Sequence, residues 1–120
     1  MSREMFDDPR SHEADDLALQ AELLERRGEH AGARGLYRRA AALEENLARE
    51  TPASSPRERG VLAISAISLW DAAGALPQAI SLANEFLTDH ALSANERAGL
   101  AKLAEELRTR AAQEHASPPG

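Results

Sequence analysis

The sequence predicts an all-α fold: two stacked antiparallel helical hairpins followed by a C-terminal capping helix. The chain is rich in Ala, Leu, Glu and Arg and poor in aromatic residues, which is typical of helical proteins. The run VLAISAISLW at residues 61–70 is almost free of polar side chains, so it must be buried on more than one side. Finally, Gly28, ETPASS at residues 50–55, Gly74 and residues 88–92 divide the chain into five segments of helical length.

The first predicted hairpin joins two amphipathic helices at Gly28. We expect Ser11 to cap the first helix, with acidic residues in the first turn, where the helix dipole favours anions. Its apolar residues, at spacings of three and four, are Ala14, Leu17, Ala21 and Leu24. The second helix is predicted from about His30 to Arg49. Its apolar face contains Ala33, Leu36, Tyr37, Ala40, Leu43 and Leu47.

The apolar run belongs to a third helix, predicted over residues 56–73. Ser55, Pro56 and Glu58 match a capping box, with a serine N-cap, a proline at the first helical position and a glutamate three residues after the serine. The next breaker is Gly74, so the segment is about five turns long. An ordinary strand is much shorter, which favours a helix.

Two further helices complete the predicted fold. Pro77 opens a fourth helix, and its apolar residues are Ala79, Ile80, Ala83, Phe86 and Leu87. Ser93 and Glu96 match a second capping box, which predicts the start of a fifth helix. The apolar face of that helix contains Leu100, Leu103, Ala104, Leu107 and Ala111.

Length and charge restrict the possible functions. The 120 residues suit one domain, expected at residues 11–115, between a flexible lead-in at 1–10 and a disordered tail at 116–120. The net charge of −6 argues against nucleic-acid or membrane partners, which bind basic surfaces. No apolar run is long enough to span a membrane, and residues 1–10 lack the apolar core of a signal peptide. We expect a soluble cytoplasmic protein, and the Arg and Ala bias is typical of GC-rich bacteria.

No catalytic or metal-binding motif is visible in the sequence. The absence of cysteine excludes zinc–thiolate sites and a cysteine nucleophile. None of the four histidines lies in an HExxH motif or at the spacing used in di-iron bundles. His30 follows Glu29, a potential proton-transfer pair, but a solvated histidine in a turn is the simpler interpretation. We therefore expect a protein that is not an enzyme and that uses no cofactor or metal.

Several polar residues within the helices have a structural interpretation. Ser65 and Ser68 are expected to bond to carbonyl oxygens one turn earlier, and Trp70 to pack in the core rather than to act as a binding hot spot. The acidic pairs expected on solvated faces are Asp15–Asp16, Glu44–Glu45 and Glu105–Glu106. The polar face of the fifth helix is expected to contain Arg97, Lys102, Glu106 and Arg110.

The two hairpins resemble each other, and both resemble the tetratricopeptide repeat (TPR). In each hairpin a turn glycine, Gly28 or Gly74, is followed at the fifth position by an alanine, Ala33 or Ala79. TPR units have such a glycine before their second helix and a small residue within it. Residues that match the family's interface positions in its first helix are Ala21, Leu24, Leu100 and Ala101. The resemblance covers about residues 14–112 and implies stacked hairpins whose open end is covered by the last helix.

The resemblance also implies a binding surface. In TPR folds the first helices of successive hairpins line a concave surface, which would here combine the first, third and fifth helices. The residues implied at this surface are Asp15, Ala18, Glu22, Glu25, Ile64, Ser68, Asp71, Ala98, Lys102 and Glu105. The lining is mainly acidic and lacks the basic cluster with which TPR modules bind a peptide carboxylate. We therefore expect a non-catalytic adaptor whose groove binds a basic or amphipathic segment of another protein.

Two alternatives remain open. The exposed faces of a short repeat array can pair in a homodimer, and the apolar third helix favours this if the hairpins leave it uncovered. The acidic charge also suits an antitoxin-like or regulatory protein that masks a basic partner. All three hypotheses are protein–protein interactions, and they differ in whether an acidic or an apolar surface makes the contact.

Overall fold

The computed structural model describes residues 8–116, with side chains as far as Glu114, and this part of the chain is helical without any strand. The helices are α1 (Pro9–Arg26), α2 (His30–Glu50), α3 (Pro56–Ala72), α4 (Leu76–Leu87) and α5 (Ala94–Ala116). The predicted all-α fold is confirmed. Most of the expected lead-in, residues 1–7, and of the expected tail, residues 117–120, lies outside the described residues. None of the described helices is long and apolar enough to cross a membrane.

Consecutive helices pack against one another, and α3 lies at the centre. It contacts α2, α4 and α5, while α1 packs on α2 and α4 packs on α5. The α1–α2 pair is antiparallel: at one end Arg10 forms a 2.8 Å ion pair with Glu50, and at the other Leu24 lies against Gly32. The domain is elongated, 55 × 29 × 17 Å, as expected for helices added one beside another.

The hydrophobic core explains why the central run is so apolar. Large buried side chains of the main cluster are Leu47, Leu62, Ile67, Phe86, Leu100 and Leu107, from α2, α3, α4 and α5. A smaller cluster of Ala14, Leu17 and Ala40 lies between α1 and α2, and Leu69 of α3 packs against it. Helix α3 therefore contributes apolar side chains in several directions at once.

Two glycines end helices where the sequence predicts. Gly28 follows α1 with φ of 78°, and Gly74 follows α3 with φ of 75°. Both values lie in the left-handed region, which glycine adopts without the steric penalty of a Cβ atom. The resulting connections are short, so each helix turns back along the one before it.

Helix α1 begins earlier than predicted, and Asp8 rather than Ser11 is its N-cap. Asp8 Oδ1 accepts a 2.9 Å hydrogen bond from the Arg10 N–H, and Pro9 occupies the first helical position. Ser11 is buried in the first turn, and the expected acidic residues come after that turn. The prediction was wrong because Asp8 supplies a side-chain acceptor and Pro9 supplies a preset φ. Both residues precede Ser11, so the helix begins before it.

Neither of the two predicted capping boxes forms in full. At the start of α5, the Ser93 hydroxyl contacts the Glu96 carboxylate, and the Glu96 N–H lies 3.5 Å from Ser93 Oγ. At α3 the Ser55 side chain makes no cap bond, although the helix does begin at Pro56. The Ser55 box was therefore a wrong prediction that nevertheless located the correct helix start.

Arg59 fastens the connection between α2 and α3 to the rest of the fold. Its guanidinium donates to the carbonyl oxygens of Ala48 at 2.9 Å and Thr51 at 2.8 Å, and to the Asp89 carboxylate at 2.5 Å. It also lies over the Phe86 ring, 5.4 Å from the centroid. We call these five residues the Arg59 junction. It joins α2, α3, α4 and the segment after α4.

Arg97 does not lie on the solvated face predicted for α5. Its half-buried side chain donates to the carbonyl oxygens of Leu87, at 2.9 Å, and Asp89. The carbonyl groups at the end of α4 lack partners within the helix, and Arg97 supplies donors to this region. The prediction was wrong because these acceptors belong to a different segment of the chain.

Candidate acidic face

The sequence-predicted surface residues lie on α1, α3 and α5, of which α3 and α5 are in direct contact. Leu69 of α3 packs against the cluster of Ala14, Leu17 and Ala40, to which both α1 and α2 contribute. Ile64 of α3 is within contact distance of the Gly99 position of α5. Asp71 of α3 accepts a 2.7 Å hydrogen bond from Arg110 of α5. We call the surface bordered by α1, α3 and α5 the acidic face.

The predicted residues differ in how accessible they are. The exposed ones are Asp15, Glu22, Ser68, Ala98, Lys102 and Glu105, and the partly buried ones are Ala18, Glu25, Ile64 and Asp71. On α5, beside Lys102 and Glu105, the surface forms a shallow depression of about 540 Å³. The exposed members are therefore mainly charged, while the partly buried members include the apolar side chains.

Two of the predicted carboxylates already have partners. Asp71 pairs with Arg110, and Glu25 Oε2 lies 2.8 Å from His30 Nδ1. His30 thus contacts Glu25 rather than Glu29, the neighbour considered from the sequence. Within residues 8–116, no ion pair engages the remaining carboxylates, which are Asp15, Glu22 and Glu105.

Tyr37 of α2 also borders the acidic face, although the sequence placed it simply on an apolar stripe. Burial raises the pKa of the Tyr37 phenol, and the negative charges of Glu22 and Glu25 raise it further. The phenol is half-buried on α2, within the range over which these two charges act.

Glu44 is a buried carboxylate in the same α1–α2 seam. Its side chain belongs to a residue only 5% exposed, and Oε2 is fully buried without a hydrogen-bond partner among the described residues. The prediction that Glu44 lies on a solvated face was therefore wrong. A signal was available, because Ala40, Glu44 and Leu47 follow the three- and four-residue spacing of a buried stripe.

The surroundings of Glu44 shift its pKa to about 7. Burial is the largest cause, the negative charge of Asp15 acts in the same direction, and a hydrogen bond with Ser65 lowers the pKa. Ser65 thus interacts with Glu44. The sequence had predicted a hydrogen bond from Ser65 to a carbonyl oxygen one turn earlier. We call Asp15, Glu44 and Ser65 the Glu44 site. It combines one residue each from α1, α2 and α3.

Glu45, next in the chain, has the partners that Glu44 lacks. Its Oε1 accepts a 2.9 Å hydrogen bond from Trp70 Nε1, and its Oε2 accepts one of the same length from Arg49. Glu45 is therefore not the solvated residue that was predicted. Trp70 is 8% exposed, which confirms the prediction that it packs in the core.

The groups on the acidic face define what it can do chemically. Within residues 8–116, no three histidine or acidic side chains are arranged to hold a metal ion. The acidic face offers carboxylate acceptors, hydroxyl groups and a partly buried aromatic ring. This set of groups suits recognition of a cationic ligand, because charge-assisted hydrogen bonds to carboxylates are stronger than neutral ones.

Comparison with protein-family models, curated proteins and solved structures gave no match for this chain. The resemblance to the TPR family therefore stays a prediction that rests on the hairpin glycines and alanines. Any role for the acidic face must be argued from its own residues.

Proposed function

We propose that the chain is a non-catalytic adaptor that binds a basic or amphipathic segment of another protein along the acidic face. The observation that carries the proposal is a set of exposed carboxylates on this face that have no ion-pair partner within residues 8–116: Asp15, Glu22 and Glu105. Repulsion among like charges is relieved when a cationic segment binds, and opposite charge also accelerates encounter. The partly buried Ala18, Ile64 and Tyr37 supply apolar contact area.

The TPR-like arrangement supplies a mode of binding for this proposal. In that arrangement α1, α3 and α5 line one concave surface, and an extended or helical segment lies across them. Basic side chains of the segment would face α1, where Asp15 and Glu22 are exposed, and apolar side chains would contact the partly buried positions.

Charge reversal on α1 tests the proposal. The probe is a fluorescein-labelled amphipathic peptide with arginine and lysine on one side and leucine on the other, and its affinity is measured by fluorescence anisotropy. Glu22→Lys combined with Glu25→Lys should weaken binding by about tenfold or more, because charge-assisted contacts are replaced by repulsion. Loss of the exposed Glu25–His30 pair should affect folding little.

The matched control changes the same helix and the same charge elsewhere. Glu13→Lys combined with Asp16→Lys reverses two exposed carboxylates, and the helical period places both on a different side of α1. The control should retain most of the affinity. Equal weakening by the two double variants would mean that only net charge matters, and the acidic face would lose its assignment.

A homodimer is a second candidate, favoured by two exposed apolar side chains. Leu19 is 56% exposed and Leu23 is 44% exposed, both on α1 outside the predicted surface positions. Helix α3 itself is covered by α2, α4 and α5 over most of its apolar residues, so α1 is the better interface. Light scattering after size-exclusion chromatography distinguishes a 13.0 kDa monomer from a dimer. A dimer that Leu23→Glu dissociates would support this candidate.

A further inference from the structure

Three exposed arginines of α2 have no carboxylate partner. No ion pair among the described residues engages Arg34, Arg38 or Arg39, although the chain has 20 acidic side chains and only 14 lysine and arginine residues. We call these three residues the arginine patch. By contrast, the guanidinium groups of several other arginines donate to carboxylates or backbone carbonyl groups: Arg10, Arg49, Arg59, Arg97 and Arg110.

The arginine patch lies on the outer side of α2. This helix packs against α1 and α3 and buries Ala33 and Ala40. Successive residues are rotated by about 100° around a helix, so all three arginines lie about 100° or more from both alanines. Between the arginines, Gly35 has open space where a Cβ atom would stand. The backbone of a bound segment can therefore come close to α2 at this point.

Arg34 extends the patch to the second hairpin. Its Nε lies 3.4 Å from the position that a Cβ atom of Gly74 would occupy, so its side chain lies over the α3–α4 connection. The first turn of α4 contains no acidic residue. Asp71, near the end of α3, already pairs with Arg110 at 2.7 Å. The residues around this connection therefore leave the charge of Arg34 uncompensated.

The spacing of Arg34 and Arg38 fits an extended acidic segment. The two residues are one helical turn apart, which separates them by about 6 Å along α2. In an extended segment, alternate side chains lie on the same side and are about 6.6 Å apart. Carboxylates at alternate positions can therefore each face one guanidinium, whose planar fork binds a carboxylate through two parallel hydrogen bonds.

A protein segment fits the arginine patch better than a nucleic acid does. From Arg34 to Arg39 the patch extends only about 8 Å along the helix. A nucleic acid carries a negative charge at every nucleotide, so it would continue past the patch onto a chain whose net charge is −6. A protein segment can confine its carboxylates to the few positions that face the arginines.

We propose that the arginine patch binds an extended segment of a partner protein that has acidic residues at alternate positions, with Arg34 and Arg38 each binding one of its carboxylates. The patch belongs to α2, whereas the acidic face is bordered by α1, α3 and α5. An adaptor joins two partners, and the arginine patch supplies a second surface, of opposite charge to the first. Binding at the patch does not require the acidic face, so the two proposals can fail separately.

Two fluorescein-labelled peptides of the same composition test the spacing. In the first, glutamate and glycine alternate, and in the second, pairs of glutamates alternate with pairs of glycines. Both have the same charge, but only the first places neighbouring carboxylates on one side at the spacing of Arg34 and Arg38. Fluorescence anisotropy should show that the full chain binds the alternating peptide about fivefold more tightly. Equal affinities would mean that only net charge matters, and the proposal would be wrong.

Substitutions on α2 test which arginines bind the alternating peptide. Arg34→Gln combined with Arg38→Gln should weaken binding about tenfold, because two charge-assisted contacts are lost. The matched control is Arg26→Gln combined with Arg57→Gln, which removes two exposed arginines outside the patch and should retain most of the affinity. Circular dichroism should show that both double variants keep the helical fold. Equal weakening by the two would remove the assignment of the patch.

Three further measurements distinguish this proposal from the other binding modes. Glu22→Lys combined with Glu25→Lys should keep its affinity for the alternating peptide, so a loss there would mean that the two surfaces are not separate. A labelled single-stranded oligonucleotide should bind less tightly than the alternating peptide, and tighter binding would overturn the choice of a protein partner. Light scattering should give the same mass for wild type and Arg34→Gln/Arg38→Gln. A wild-type oligomer that these substitutions dissociate would show that a second copy occupies the patch instead.

Discussion

Two partly buried charged sites that both include residues of α2 and α3 differ in how completely their polar groups are satisfied. In the Arg59 junction the guanidinium has three carbonyl acceptors, including Arg49 at 3.3 Å, and a carboxylate, and it covers the Phe86 ring. In the Glu44 site one carboxylate oxygen has no donor and the neighbouring Asp15 is of the same charge. The difference separates a charge that holds the fold together from a carboxylate whose burial opposes its ionisation.

The two sites also respond to pH in opposite directions. Burial opposes ionisation of Asp89 in the junction, but hydrogen bonds from the Ala91 N–H and Arg59 lower its pKa overall. Its contribution to stability is therefore present above the ordinary aspartate pKa and is lost as the pH falls through the lowered value. Glu44 has a raised pKa, so its contribution is present below the ordinary glutamate pKa and is lost as the pH rises to about 7.

Removing the charge of the junction should have the largest effect on stability. Arg59→Met leaves Asp89 without its guanidinium partner and three carbonyl groups without this donor, which should lower the free energy of unfolding by about 3 kcal/mol or more. Urea denaturation followed by circular dichroism measures the change. The exposed neighbour Arg57→Met is the control and should cost less than about 0.5 kcal/mol. Equal losses in the two variants would remove the structural role of Arg59.

Removing the charge of Glu44 should increase stability at high pH, whereas removing the charge of Arg59 should decrease it. The wild-type chain should lose about 2.5 kcal/mol of unfolding free energy relative to Glu44→Gln between pH 5 and pH 8, because only the wild type must ionise a buried carboxylate. Denaturation curves at a series of pH values give this difference. Asp16→Asn should track the wild type throughout. A constant difference between wild type and Glu44→Gln would show that Glu44 has no raised pKa.

A smaller effect on stability should come from the hydrogen bond of Glu45 with Trp70. Glu45 is adjacent to Glu44 in the chain, but its carboxylate oxygens have hydrogen-bond donors. Trp70→Phe removes the indole N–H and keeps an aromatic ring in the core, which should cost about 1 kcal/mol. In a Glu45→Gln background the loss should differ, because the acceptor has changed from a charged to a neutral group. Strictly additive losses in this double-mutant cycle would mean that the charge of Glu45 does not strengthen its hydrogen bond with Trp70.

Local signals allowed the helices to be predicted, because their ends depend on few residues. Gly28 and Gly74 take positive φ values that other residues rarely adopt, so each ends the helix that precedes it. The start of α3 was predicted through Pro56 even though the Ser55 side chain forms no cap. The start of α1 was missed because Asp8-Pro9 lay in a segment that seemed too polar for a helix.

The satisfied and unsatisfied charges could not be predicted, because they depend on contacts between distant segments. Arg59 bonds to residues eight and eleven positions earlier and to Asp89 after α4, and nothing in its own neighbourhood indicates this. Glu44 and Glu45 are adjacent and chemically identical, yet the turn of the helix directs one to the Asp15 seam and the other to Trp70. Of the two, only the burial of Glu44 could have been predicted, because Glu44 follows the spacing of the apolar stripe.

The most direct test of the account is the pKa of Glu44 in the unliganded chain. Selective ¹³C labelling of glutamate and a Glu44→Gln variant for assignment allow its carboxyl resonance to be followed from acid to alkaline pH. The account predicts a pKa of about 7 that falls when Asp15 is replaced by Asn, because one cause of the shift is removed. A Glu44 that titrates at the ordinary glutamate value, unaffected by Asp15→Asn, would contradict it.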